Sequence, residues 1–373
     1  MANGKKKARN GRKLGYAVVG VGHIAQAAVL PAFEHAENAK LVALVSGDKE
    51  KREELGKRYG VKTYSYDDYE ECLASPEVDA VYIALPNTLH TDYVVKAARH
   101  GVHVLCEKPM ALRVEECERM IRECREHDVK LMVAYRLHFE ECNMSVVELA
   151  RSGRLGTPRF FTSEFSYQVQ PGNIRTDAGL GGGPLWDIGI YCINAARYLF
   201  RAEPTEVFAY GTGMPDERFE GLHDTVAAVL KFPDDRVASF TCSFSSTTTG
   251  DYRLVCTEGE VRLENAYEYE GEKKLMLKVD EVSETKTFAP RDQFAPELVY
   301  FGQCILEDRE PEPSGEEGLA DIRIISALEE SMRHRRPVEL EPFEKRSRPD
   351  MSQEMYRPPV KEPELVDAQA PTQ

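Results

Sequence analysis

An aspartate and a tyrosine stand four residues apart, Asp187 and Tyr191, in the run Gly-Gly-Gly-Pro-Leu-Trp-Asp-Ile-Gly-Ile-Tyr at residues 181–191. On a helix that spacing puts both side chains on one face, so an acid and a phenol are offered to a single site, a pairing suited to moving protons. A third group, Lys108, lies between Glu107 and Pro109 just beyond an apolar run at residues 102–106. The proline restricts the residue before it and permits a cis bond, which aims the lysine rather than leaving it loose. A cation beside a phenol favours the phenol's anion and so makes it a usable proton acceptor. His138 and His223 have no partner at a useful spacing, and Trp186, the lone tryptophan, reads as packing more readily than as a stacking surface for a ligand.

Gly20-Val21-Gly22-His23-Ile24-Ala25 is the second chemical feature. It directly follows an apolar run and opens a helical one, the context in which such glycines bind a dinucleotide. Gly20 permits the tight turn, Gly22 lets the backbone approach a pyrophosphate, Ala25 lets helix and strand pack closely, and the unpaired amides of the helix start face the anion. His23 and Ile24 lie inside the turn and are expected against the cofactor. At the end of the second strand an acid would bond the ribose 2′-hydroxyl, whereas a small residue with a nearby cation accepts a 2′-phosphate. Ser46 and Gly47 stand there, with Lys51 or Arg52 to supply charge, so NADP is favoured over NAD. Asp48 is the counter-argument; its simpler role is to cap the next helix.

The elements that must position these groups alternate. Strand-like runs at 14–19, 41–45, 78–85, 102–106 and 130–135 are separated by helical patterns at 20–36 (interrupted at Pro31), 49–59, 88–100 and 114–127. Near-continuously apolar strands alternating with helices imply a parallel sheet covered on both faces. After about residue 150 the texture shifts: 158–167 is strand-like, 185–200 helical, and 225–232 and 236–243 flank Pro233-Asp234-Asp235 as a hairpin. Further strands at 254–256, 260–263 and 275–279 and helices at 294–306 and 317–333 complete an α+β unit on an open, mainly antiparallel sheet. The expected domains are therefore a dinucleotide-binding α/β domain at 14–135 and an α+β domain at 136–340. A basic, disordered leader at 1–13 precedes them and a flexible, proline-rich tail at 341–373 follows.

A chain of 373 residues exceeds what one core usually organises, and its net charge of -15 disfavours nucleic acid as a partner. No apolar run approaches the ~20 residues that cross a bilayer, and none of secretory type follows the leader, so the expectation is a cytoplasmic protein without a membrane role. Nine cysteines without a C-x-x-C pair read as reduced core thiols, and no metal site is expected.

Three longer stretches carry a resemblance: Gly-Val-His-Val-Leu-Cys-Glu-Lys-Pro-Met-Ala at 101–111, Leu-Met-Val-Ala-Tyr-Arg at 131–136, and the 181–194 run ending Tyr-Cys-Ile-Asn. With the closing Pro-Ser-Gly-Glu-Glu-Gly-Leu-Ala-Asp-Ile-Arg at 313–323, the chain from about Leu14 to Leu340 resembles the glucose-fructose oxidoreductase family. The resemblance implies a Rossmann domain followed by an open-faced sheet that mediates dimers or tetramers, and hydride transfer between a nicotinamide and a sugar. It further implies Tyr191 as general acid/base, Lys108 orienting the substrate hydroxyl and Asp187 assisting. Leu85, Pro86, Asn87 and His90 would lie along the cofactor, Glu107 at its ribose, Arg136 at the nicotinamide end, and Arg175 against the cofactor. Tyrosine at 191, where many relatives carry histidine, points to the branch acting at the anomeric carbon of aldoses such as D-glucose or D-xylose, giving a lactone. Ile174 replaces the tryptophan of the founding enzyme, which leaves open whether the cofactor is retained through a cycle or exchanged. A trans-dihydrodiol dehydrogenase and a non-catalytic regulator that keeps the nucleotide are the alternatives.

Overall fold

A computed structural model describes residues 12–361 and 363–372; the leader expected at 1–13 falls outside them except for Arg12 and Lys13. Strands β1 (Leu14–Val19), β2 (Ala39–Val45), β3 (Lys62–Tyr64), β4 (Ala80–Ile83), β5 (His103–Glu107) and β6 (Leu131–Ala134) form a parallel sheet in the order β3-β2-β1-β4-β5-β6. Every residue of β1, β4 and β6 is buried, the consequence of helices on both faces. The order reverses between β1 and β4, so the loops leaving β1, β4 and β5 open a crevice at the carboxyl edge of the sheet, where doubly wound folds take their ligands. The first helix is not broken by Pro31. It runs as a wide π-turn over Ala25–Val29 into Leu30–Ala32, a geometry that tolerates the missing N–H of the proline.

The second sheet, among the described residues, joins β7 (Pro158–Gln168), β8 (Glu206–Thr212), β9 (Thr225–Phe232), β10 (Arg236–Ser243), β11 (Ser245–Cys256), β12 (Gly259–Glu264), β13 (Lys273–Val279), β14 (Val282–Phe288) and the short β15 (Val338–Glu339). Its order is β14-β13-β12-β11-β7-β10-β9-β8-β15, antiparallel throughout except that β7 and β10 run parallel, so the sheet is mixed. The β9–β10 hairpin turns through residues 233–235, with Asp234 and Asp235 at φ 61° and 52°, the left-handed conformation that aspartate tolerates. Alternate residues of β9 are buried. The inner face receives the segment Leu185–Gly189 and the helix Ile190–Phe200, and the outer face leaves Phe160, Tyr210, Val229 and Val237 exposed.

A buried ionic network ties the two domains. Arg197, wholly buried on Ile190–Phe200, pairs with Glu203, Glu317 and Asp321 at 2.6, 2.6 and 2.7 Å, and the Tyr135 hydroxyl, just past β6, donates to Asp321 at 2.5 Å. Lys345 closes the network from beyond the last helix, Gly315–His334, at 2.6 Å from Glu312 and 2.7 Å from Glu317. Beyond Leu340 the described residues hold one 3-10 turn, Met351–Gln353, and otherwise run without regular structure, packed on the two domains. Arg348 reaches Glu203 at 2.8 Å, the Gln353 side chain donates to the Glu312 carbonyl, and Val366 is buried in the first domain's core. The nine cysteines are free and buried, and no helix of the described residues is long and apolar enough to cross a membrane.

Two histidines near the seam are held neutral. Burial lowers His103, whose Nδ1 accepts from the Lys130 N–H, to about 4, and burial likewise lowers His138, on Asn194, to about 4. An unfolded histidine titrates near 6.5, so the unfolded chain takes up protons first, and the stability these groups supply above about pH 6.5 is lost as pH falls towards 4. Burial raises the Glu312 and Asp321 carboxyls, which act in the opposite direction, so the comparison must be with a variant. Urea midpoints measured from pH 7 to pH 5 should fall more steeply for the wild type than for His103→Asn/His138→Asn; equal slopes would contradict this account.

Candidate active site

A cavity of about 610 Å³ runs from the carboxyl edge of the parallel sheet to the inner face of the mixed one. At its first end β1 gives way to Gly20, at φ 88°, where a Cβ would lie 2.4 Å from the Ala84 carbonyl oxygen, so only glycine fits this crossing of two loops. Two residues on, a Cβ on Gly22 would meet nothing within 4 Å. The backbone there faces open cavity at the start of a helix, a cradle of the size and polarity that a pyrophosphate needs. His23, Ile24, Ser46, Gly47 and Lys51 line the same end, and Leu85 and Asn87 line the next stretch. Asp48 caps the helix Lys49–Tyr59 by accepting from the Lys51 N–H, and Arg52 is committed to the Ser46 carbonyl, so Lys51 supplies the cationic side chain at this end. These residues fit a dinucleotide with its adenosine end at β2.

At the other end the chemistry gathers around one carboxylate. Asp187 sits in the π-turn Leu185–Gly189, and its Oδ1 accepts from the Lys108 ammonium at 2.9 Å while its backbone carbonyl accepts from the same nitrogen at 2.8 Å. Its Oδ2 accepts from Arg175 Nε at 2.7 Å and from the Tyr167 hydroxyl at 2.8 Å. Burial opposes the charge of Asp187, but Arg175 and Lys108 outweigh it and hold the carboxyl well below its usual range. Burial likewise works against the Lys108 ammonium, and Asp187, Tyr191 and Glu107 more than offset it, so the lysine stays protonated.

Lys108 Nζ lies 4.7 Å from the centre of the Tyr191 ring, over its face, and Arg136 donates to the Tyr191 hydroxyl at 3.3 Å. The phenol is therefore flanked by two cations, with its oxygen towards Arg136. Arg136 is itself buried and fixed by Gln293 and by the Tyr267 carbonyl. Behind Lys108, the peptide to Pro109 is cis, and Glu107 accepts from the Tyr82 hydroxyl at 2.7 Å. The middle one of the three glycines before the π-turn serves the same end. A Cβ on Gly182 would stand 2.4 Å from the Arg175 carbonyl oxygen, so the loop carrying Arg175 packs directly on that backbone and Arg175 reaches Asp187.

The structure brings Lys108, Asp187 and Tyr191 together, and it also places Glu107, Arg136 and Arg175 on the cavity wall. His90 departs from expectation. It is fully buried, with its ring nitrogens 2.9 Å from the Leu85 carbonyl and 3.0 Å from that of Pro109; burial favours the neutral ring, which donates to one of the two, so it packs between the two loops from behind and is not part of the cavity lining. Arg175, expected against the cofactor, spends its Nε on Asp187. Trp186 packs away from the cavity, donating to Glu329 at 2.8 Å. Tyr167, Glu268, Tyr269 and the C-terminal residues Asp367 to Gln369 line the cavity without having been singled out. Tyr167 had one available signal, its place as an inward residue on a strand-like run; the others carry no local motif.

Residues 14–135 match the model of an oxidoreductase family with an NAD-binding Rossmann fold, and residues 144–262 match the C-terminal domain of the GFO/IDH/MocA group. The chain belongs to the glucose-fructose oxidoreductase family. Among other members it is 33% identical to a D-xylose 1-dehydrogenase [NADP(+)] of Haloarcula marismortui, over 87% of this chain and 93% of that one. A D-xylose 1-dehydrogenase (NADP(+)) of Haloferax volcanii is 32% identical over 87% and 99%. Of solved structures, an aldose-aldose oxidoreductase from Caulobacter crescentus complexed with glycerol superposes with a TM-score of 0.84 at 37% identity, covering 88% of this chain and all of the other. A 3-ketoreductase from Actinomadura kijaniata in complex with NADP gives 0.79 at 26%, over 86% and 98%. As a member of this family the protein is a nicotinamide-dependent oxidoreductase.

Proposed function

We propose that this oxidoreductase uses NADP to oxidise the anomeric C1 hydroxyl of an aldose pyranose, such as D-xylose or D-glucose, to the lactone, and runs the reverse reduction of a carbonyl. The observation that carries the reading is the phenol of Tyr191 set between the Lys108 ammonium and the Arg136 guanidinium at the inner end of a dinucleotide-shaped cavity. The NADP assignment rests on Ser46 in place of an acid, on Lys51 beside it, and on the cofactor of the two D-xylose 1-dehydrogenases. Bound NADP supplies the hydride acceptor. The chain's own residues do the rest. Lys108 orients the C1 hydroxyl, and Tyr191 Oη, as the phenolate whose charge the two flanking cations balance, takes the hydroxyl proton and becomes a neutral phenol as C1–H gives up its electron pair. Asp187 positions Lys108. The products are a C1 carbonyl, a reduced nicotinamide and one proton.

The outer face of the mixed sheet is the surface we assign to self-association. Phe160, Tyr210, Val229 and Val237, on four neighbouring strands, expose apolar area there. Light scattering on the purified protein should return a dimer or tetramer, and Tyr210→Glu/Val229→Glu should shift it to the monomer; a wild type already monomeric at micromolar concentration would refute the assignment.

Absorbance at 340 nm should rise when the protein meets NADP and D-xylose or D-glucose, more slowly with NAD. Tyr191→Phe should lower turnover by roughly 10²–10⁴-fold, the usual contribution of a general base, while NADPH still binds by fluorescence. Turnover unchanged in that variant would remove Tyr191 from the mechanism.

A further inference from the structure

The C-terminal segment passes over the adenosine end of the cavity. Gln26, 1% exposed and one residue beyond the glycine fingerprint, pairs with Val366 in both directions: its Nε2 donates to the Val366 carbonyl at 2.9 Å and its Oε1 accepts from the Val366 N–H at 2.8 Å. The same Nε2 donates to the Val21 carbonyl inside the glycine turn, so the segment is bonded to the turn that faces the pyrophosphate. Val366 itself is buried in the first domain's core, and Arg58 donates to the Glu364 carbonyl just before it. Asp367 lies 3.6 Å from Lys51. On the far side of the opening the Gln170 N–H donates to the Pro371 carbonyl at 2.8 Å, in the loop that continues to Arg175. Between these anchors Asp367, Ala368, Gln369 and Pro371 line the cavity.

We propose that residues 366–371 form the outer wall of the adenosine subsite and retain the bound dinucleotide by closing it against the end of β2, an inference that rests on the cofactor reading above. The segment is a wall and not a plug. With it in place the cavity still measures about 610 Å³, and the space in front of Gly22 is open. Its chemistry suits the task, because Ala368 and Gln369 bring a small apolar surface and a neutral amide towards an adenine. Two carboxylates would oppose a 2′-phosphate on Lys51: Asp48, 4.0 Å away and held as the cap of its helix, and Asp367, which belongs to the segment. Asp367 is the mobile one of the two. Its side chain is 72% exposed, so it yields Lys51 to the phosphate by turning outward while the Val366 anchor stays seated.

The test is the rate at which NADPH leaves the protein, followed by the loss of its fluorescence on displacement with excess NADP, with no sugar present. Removal of residues 364–373 and, in the full chain, Val366→Asp should each speed release by tenfold or more, the point substitution covering the case in which the shortened chain fails to fold. Release unchanged in both variants would overturn the wall, and slower release would overturn it too by showing that the segment competes with the cofactor. A wild type that binds no NADPH would overturn the functional reading together with the wall, whereas binding with unaltered release would overturn the wall alone.

Discussion

Two cations that share one buried carboxylate govern the reactive end of this molecule. Lys108 and Arg175 both bond Asp187, and the side chains of the Lys108–Asp187 pair are only 11% and 18% exposed. An isolated charge at such depth would be neutralised or expelled, so the ammonium persists because the carboxylate answers it. Two positive groups meet one negative at Asp187, Glu107 adds a second carboxyl beside Lys108, and the Arg136 guanidinium lies 5.3 Å from the centre of the Tyr191 ring. Of these cations Arg136 donates to the phenolic oxygen, at 3.3 Å, and Lys108 lies over the face of the ring. The carboxylate is also held from three sides, Oδ1 accepting from Lys108 and Oδ2 from Arg175 and Tyr167, which fixes its direction and therefore that of Lys108.

The groups come from distant parts of the chain, and the fold converts that separation into contact. Lys108 leaves β5 at the carboxyl edge of the parallel sheet, and Asp187 and Tyr191 ride on the helical segment lying on the mixed sheet. Their meeting depends on how the two sheets are joined. Arg197, on the same helix as Tyr191, bonds Glu317 and Asp321, and Tyr135 bonds Asp321 from the end of β6, so the buried network fixes the helix against the first domain. On the first-domain side His90 fills the space between the loops after β4 and β5, within hydrogen-bond distance of a carbonyl from each.

Local signals made much of this legible. The helix at 49–59 and the hairpin at 225–232 and 236–243 stand where capping and turn residues placed them, because Asp48 and the Pro-Asp-Asp turn act through neighbours in sequence. The glycine turn and the 107–109 and 181–191 motifs were legible for the same reason. What escaped depends on tertiary partners. β14 has every residue but Phe288 exposed and no apolar alternation, and exists through pairing with β13. The parallel β7–β10 pairing is a matter of sheet order, which no short window encodes. His90 carried a family motif's expectation, and the fold turned its ring inward. The packing of Lys345 and Val366 was not legible in the proline- and charge-rich tail, because their partners lie far away in the chain.

The central claim, that Asp187 acts by positioning Lys108, is tested most directly by a double-mutant cycle on kcat/KM for aldose oxidation with Lys108→Met, Asp187→Asn and the two combined. Groups that act as a unit are strongly non-additive, so the loss on Asp187→Asn should be smaller by about tenfold or more when Lys108 is already methionine. Losses that multiply independently would contradict the account, because they would mean that carboxylate and ammonium contribute by separate routes.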